Sequence, residues 1–156
     1  MEVKRTFAKA LEVLRGSYGK QESHDEMKGS EIMASIQERL NGLVDLQKEL
    51  LGGGLIASGI WASADGQPLV LFNTTAKVSA LFNQITQALT KAIQGADFPK
   101  LGRYYMIDLA DNVLAVVIVM GGYQWGMIID QTKTTMGTLL NLAMPEMINA
   151  FKEIVA

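Results

Sequence analysis

The sequence predicts an α+β sandwich: a sheet of about five antiparallel strands with helices on both faces, in the order α-β-β-α-β-β-β-α, plus an extra N-terminal helix. Three observations carry this. Long segments with apolar residues at the 3.6-residue period alternate with short apolar runs. The short runs form one hairpin and then a three-strand meander, joined by Asp-Gly, Asp-Asn and Gly-Gly turns. The chain has 156 residues, 49% of them apolar, which suits one domain with a real core and leaves little room for a second.

Val3, Phe7, Leu11, Leu14 and Tyr18 recur at spacings of 4, 4, 3 and 4 and line one stripe of a short amphipathic helix. Residues 16–30, GSYGKQESHDEMKGS, hold Gly, Ser and charge with almost no large apolar side chain, the composition of a mobile linker. The reading therefore divides the chain into 1–29, a helix on a flexible linker, and 30–156, the main domain. A second helix is predicted from about Ser30, as N-cap, to Leu51, with Met33, Ile36, Leu40, Leu43, Val44, Gln47 and Leu50 on its stripe. Gly52-Gly53-Gly54 ends it.

The stretch GLIASGIWASADGQPLVLFN, residues 54–73, reads as two strands turned by Asp65-Gly66. Neither face of the first strand is consistently polar, so it is predicted to be covered on both sides. Pro68 opens the second strand and marks it as a sheet edge. A third helix is predicted over residues 74–94, capped by Asn73 or Thr74 and stopped at Gly95. Its inward stripe is Val78, Leu81, Phe82, Ile85, Leu89, Ala92 and Ile93. Its far side, Ala76, Ala80, Asn83, Gln84, Gln87, Lys91 and Gln94, carries no acid, and none occurs between Asp65 and Asp97. GRYYMIDLA, NVLAVVIVM and YQWGMIIDQT follow as the meander, with the middle run apolar on both faces and so interior to the sheet. The last helix contains Pro145, which predicts a kink or break near Met144.

Composition narrows the function. A net charge of −2 gives no electrostatic reason to expect a nucleic acid or an anionic membrane surface as partner. The longest apolar runs, such as Val113 to Met120, are too short to span a bilayer, so no membrane insertion is expected. Cysteine is absent, which excludes disulfides, thiolate zinc sites and cysteine nucleophiles and makes the cytoplasm the default compartment. His24, the one histidine, lies in the predicted linker, where nothing would fix it as a general base. The acids are scattered singly, without the spacing of a metal site. Gly52-Gly53-Gly54 precedes a strand, the wrong polarity for a phosphate-cradling loop. Asp108 and Asp130 lie near strand ends, where a carboxylate reaches water. No enzyme, cofactor or metal is expected.

This element order, with the hairpin ASADGQPLV, resembles the Roadblock/dynein light chain family and its MglB-like small-GTPase regulators. The resemblance covers roughly Ser30 to Ala156, and Pro145 departs from the family pattern. It implies a profilin-like/roadblock sandwich and a noncatalytic dimeric regulator or scaffold acting on a Ras-like small GTPase. It implies no arginine finger, so no catalytic residue is carried over, and it maps GTPase docking onto the outer side of residues 74–94.

Two features of the residues themselves point to a homodimer. A helix face of Ala, Asn and Gln can be covered at little desolvation cost. The strand 102–110 is the first of its meander and guarded only by Arg103, an edge that normally needs a partner. Pairing of two copies about a twofold axis would supply one. The interface residues expected on this reading are Ala76, Ala80, Asn83, Gln84, Gln87, Lys91, Arg103, Tyr105 and Ile107. Two alternatives are a GAF-like ligand sensor, which needs a pocket between sheet and helix, and a structural adaptor with no GTPase partner. The strands that would line such a pocket are filled with Val, Leu, Ile and Met, so a packed core is expected there.

Overall fold

The computed structural model describes residues 22–155, so the stripe from Val3 to Tyr18 and residues 16–21 of the expected linker lie outside the described residues. The elements are α1 (Glu22–Leu51), a 3-10 turn (Gly52–Gly54), β1 (Leu55–Ala62), β2 (Pro68–Phe72), α2 (Ala76–Gly95), β3 (Tyr104–Leu109), β4 (Val113–Met120), β5 (Tyr123–Asp130), a helical turn α3 (Met136–Thr138), a π-helical turn (Leu139–Ala143) and α4 (Met144–Val155). All strand pairs are antiparallel, in the order β2-β1-β5-β4-β3. The hairpin, the meander and both expected edges, β2 and β3, are therefore present.

Three boundaries differ from the sequence reading. The first long helix starts at Glu22, so Ser30 lies inside it and does not cap it, and His24 is helical. Residues 22–29 contain no proline, and their acids fall at the N-terminal end, where the helix dipole favours negative charge. The cap of α2 is Thr75, in extended conformation. Asn73 instead turns the chain with φ 51°, and its amide donates to the Ile56 carbonyl at 3.3 Å. At the other end Gly95 closes α2, and the left-handed residue is Asp97, with φ 58°.

Two of the three glycines after α1 have separate uses. Gly52 adopts φ 57°, which a side chain disfavours. A Cβ on Gly54 would collide with Thr134, whose hydroxyl donates to the Leu51 carbonyl at 3.1 Å. The stop thus also locks α1 to the loop before α3. At the Asp65-Gly66 turn, Gly66 has φ 72°, and the Asp65 carboxylate accepts from the Gln67 amide at 3.0 Å.

The main core lies between one sheet face and the α1 and α4 helices. Leu40, Leu43 and Val44 meet Ile60, Val116, Ile118 and Met127, and Met147, Ile148 and Phe151 close the layer. Trp125 packs edge-on to Phe151 at 5.6 Å between centroids and donates to the Ser58 hydroxyl at 3.0 Å. Gln47, on the α1 stripe, is fully buried, and among the described residues its side chain makes one weak bond, from Nε2 to the Met127 sulfur at 3.3 Å, while its Oε1 has no partner.

The break expected near Met144 takes the form of the π turn, in which the Met144 amide donates to the Leu139 carbonyl five residues back. Pro145 then falls in the first turn of α4, where a missing N–H costs least.

Candidate interaction site

Among the described residues the α2 helix lies alone on the other face of the sheet. The sequence reading turned its apolar stripe inward, and the structure corrects this. Ser79 and Thr86 are buried at 2% and 3% exposure, whereas Leu81 is 52% exposed and Ala92 is exposed. On a helical wheel the stripe is rolled about a quarter of a turn off the sheet.

The cause is a polar seam on the sheet that the helix satisfies. Gln124 of β5 is fully buried, and its Oε1 accepts from the Thr86 hydroxyl at 2.6 Å. Its Nε2 donates to Asn83 Oδ1 at 2.7 Å and to the Ser63 hydroxyl at 3.1 Å. The Tyr105 hydroxyl of β3 lies 2.7 Å from that of Thr86, and the two share a hydrogen bond. A buried amide with no helix partner would cost more than the exposure of one leucine, so the polar side wins the sheet. Gly59 lies directly beneath α2, with the Ser79 hydroxyl 3.6 Å from where a Cβ would sit. On the same face Trp61 covers Gly126, where a Cβ would come within 2.5 Å of the ring.

This roll redistributes the residues expected at the interface. Asn83 is held by Gln124, Gln87 donates to the Ser63 carbonyl at 3.2 Å, and Ala80 lies against Gly66. These three therefore run along the β1–β2 hairpin. Ala76, Gln84 and Lys91 are exposed. Arg103 is exposed, with its guanidinium 5.8 Å from the Tyr104 ring, and Tyr105 and Ile107 are half-buried on β3. The residues the sequence reading missed as surface are Leu81, Phe98 and Leu109, at 52%, 71% and 42% exposure. Leu81 was visible as part of a stripe. Its direction depended on Gln124 and Tyr105, which are distant in sequence.

Burial pushes the Tyr105 hydroxyl above its ordinary value of 10.0, against a smaller opposite effect of the Thr86 bond. The Asp130 carboxylate is held low by the Thr132 hydroxyl at 2.6 Å and amide at 2.9 Å, the bonding of a turn. Among the described residues no three His, Asp or Glu cluster as metal ligands. Between α2 and the sheet there is a slot of about 20 Å³ bordered by Trp61, Val78 and Phe82, room for about one water. A sensor ligand does not fit it. A second, open hollow of about 210 Å³ lies at the end of α2 among Ile93, Lys100, Leu101 and Val119.

A five-stranded antiparallel sheet with α1 and α4 on one face and α2 on the other is an α+β sandwich. Solved structures place it more narrowly. MglB of Myxococcus xanthus matches with a TM-score of 0.65 and 12% identity, over 76% of this chain and 88% of its own. MglB of Thermus thermophilus gives 0.60 and 13%, over 76% and 90%. A Roadblock/LC7 domain of Streptomyces avermitilis gives 0.51 and 13%, over 69% and 92%. No protein-family model and no curated sequence matches the chain. What the chain shares with these proteins is the roadblock fold, in a form like that of MglB.

Proposed function

We propose that this protein is a noncatalytic homodimeric regulator or scaffold that binds a Ras-like small GTPase, with residues 30–156 as its roadblock-like domain, 1–29 as an appendage whose last residues, 22–29, continue α1, and the cytoplasm as its compartment. One observation carries the dimer. The flank of α2 bearing Ala80, Asn83 and Gln87 faces the β1–β2 hairpin, so the opposite flank, with Leu81 and the half-buried Ile85 and Leu89, points toward the open edge at β3. Among the described residues β3 has a strand neighbour on one side only. A second copy related by a twofold axis would pair with that edge and cover the stripe in one operation.

The GTPase partner is supported by the likeness to MglB and by the resemblance of the hairpin sequence. Its docking surface would be the outward side of α2, where Lys77, Gln84, Ala88 and Lys91 are exposed. Any stimulation of GTP hydrolysis would act by ordering the GTPase's own residues.

Light scattering at micromolar concentration should give about twice the chain mass of 17.0 kDa. A monomer at that concentration removes the dimer. Titration calorimetry with the Ras-like GTPases of the same genome, loaded with GTPγS or GDP, should show binding that depends on the nucleotide. A dimer with no affinity for either form would leave a structural adaptor.

A further inference from the structure

Phe98 is 71% exposed, more than any other large apolar residue described, yet it is not loosely held. The Ala96 amide bonds to the Ala92 and Ile93 carbonyls, each at 3.2 Å, and the Phe98 amide reaches the Ile93 carbonyl at 3.4 Å. Asp97 is left-handed at φ 58°, and Pro99 fixes the backbone on the other side. An aromatic ring presented from a fixed backbone is an anchor that loses little entropy when covered.

Antiparallel pairing decides what could cover it. When β3 pairs with its own copy about a twofold axis, the segment before β3 in one copy lies beside the end of β3 in the other. Tyr105, Ile107 and Leu109 alternate onto the α2 side of the sheet, the side from which the loop carrying Phe98 leaves α2. Leu109 is 42% exposed there, at the far end of the strand. We infer that Phe98 of one copy packs on Leu109 of the second copy, twice per dimer, and that this contact anchors the assembly. The inference rests on the dimer proposed above and adds the residues that hold it.

The absence of cysteine makes the test clean. Within one chain β3 alone spans about 17 Å from Tyr104 to Leu109, far beyond the roughly 7 Å that a disulfide bridges between Cα atoms. A disulfide that joins two chains in the Phe98→Cys/Leu109→Cys double variant doubles the mass on a non-reducing gel, whereas one within a chain does not. Mild oxidation should convert the double variant to a covalent dimer on a non-reducing gel and leave each single variant uncrosslinked. In parallel, Phe98→Ala should raise the dimer dissociation constant tenfold or more, with the helical circular dichroism unchanged. A non-covalent dimer that neither crosslinks nor weakens on truncation of Phe98 overturns the contact and leaves the dimer standing. A wild-type monomer at all accessible concentrations overturns both.

Discussion

Replacing Thr86 by valine tests the orientation of α2, because the sign of the effect depends on which side of the helix meets the sheet. Valine keeps the shape and removes the hydroxyl. The Gln124 Oε1, 2.6 Å away and on a fully buried side chain, would then have no donor. An unsatisfied buried acceptor costs about 1–3 kcal/mol. The Tyr105 hydroxyl loses its 2.7 Å partner, but it is half-buried and lies 3.4 Å from the Phe82 carbonyl, so its loss adds only about 0.5 kcal/mol. The sum is about 2 kcal/mol, or a fall of about 4–8 °C in thermal midpoint for a chain of this length. Thermal unfolding at fixed protein concentration measures it, since the midpoint of a dimer depends on concentration. Thr86→Val/Gln124→Leu should recover part of the loss, because the stranded acceptor is gone. If Thr86→Val is as stable as the parent or more so, the polar seam does not hold the helix and the roll described above is wrong.

Gly126→Ala should destabilise by about 3 kcal/mol, because its Cβ would lie within 2.5 Å of the Trp61 ring in the middle strand of the sheet; an unchanged urea midpoint contradicts that packing. Gln47→Met should raise stability by about 1 kcal/mol by removing the unpaired Oε1, and a lower midpoint would mean that the carbonyl has a partner in solution. Burial raises the folded pKa of Tyr105 above 10.0, so its contribution is complete below that pH and fades as pH rises through the folded value. Parent and Tyr105→Phe should therefore differ in the slope of stability against pH above 10.0, measured by guanidinium unfolding; parallel curves refute the shift.

What was legible in the sequence is whatever local pattern decides. The Asp65-Gly66 turn, the Pro68 edge, the interior run Val113–Met120 and the interruption before Pro145 each follow from backbone chemistry within a few residues. The start of α1 was misplaced because a segment without large apolar residues looks like a linker even where nothing in it breaks a helix. The roll of α2 was misread for a different reason. Periodicity reveals an apolar stripe, but the direction it faces depends on the opposing surface, here Gln124 and Tyr105, 38 and 19 residues from Thr86. The expected interface shifted with it, so that Asn83 and Gln87 became internal contacts and Leu81 an external one.

The π turn at Leu139–Ala143 stores one residue of chain length. Each turn of an ordinary helix fixes how sequence spacing maps onto azimuth, so inserting a residue would swing everything after it by about 100°. The wide turn absorbs that swing locally. Leu139 at its start and Met144, Met147, Ile148 and Phe151 after it all stay on the core side. The surplus emerges as Leu140 and Leu142, at 36% and 64% exposure. Pro145 keeps the surplus from migrating toward the C-terminus, since a proline ring crowds the carbonyl four residues back in a tight α turn. Shortening the segment by one exposed residue would therefore change the outer contour of the molecule while leaving its interior addressed by the same side chains.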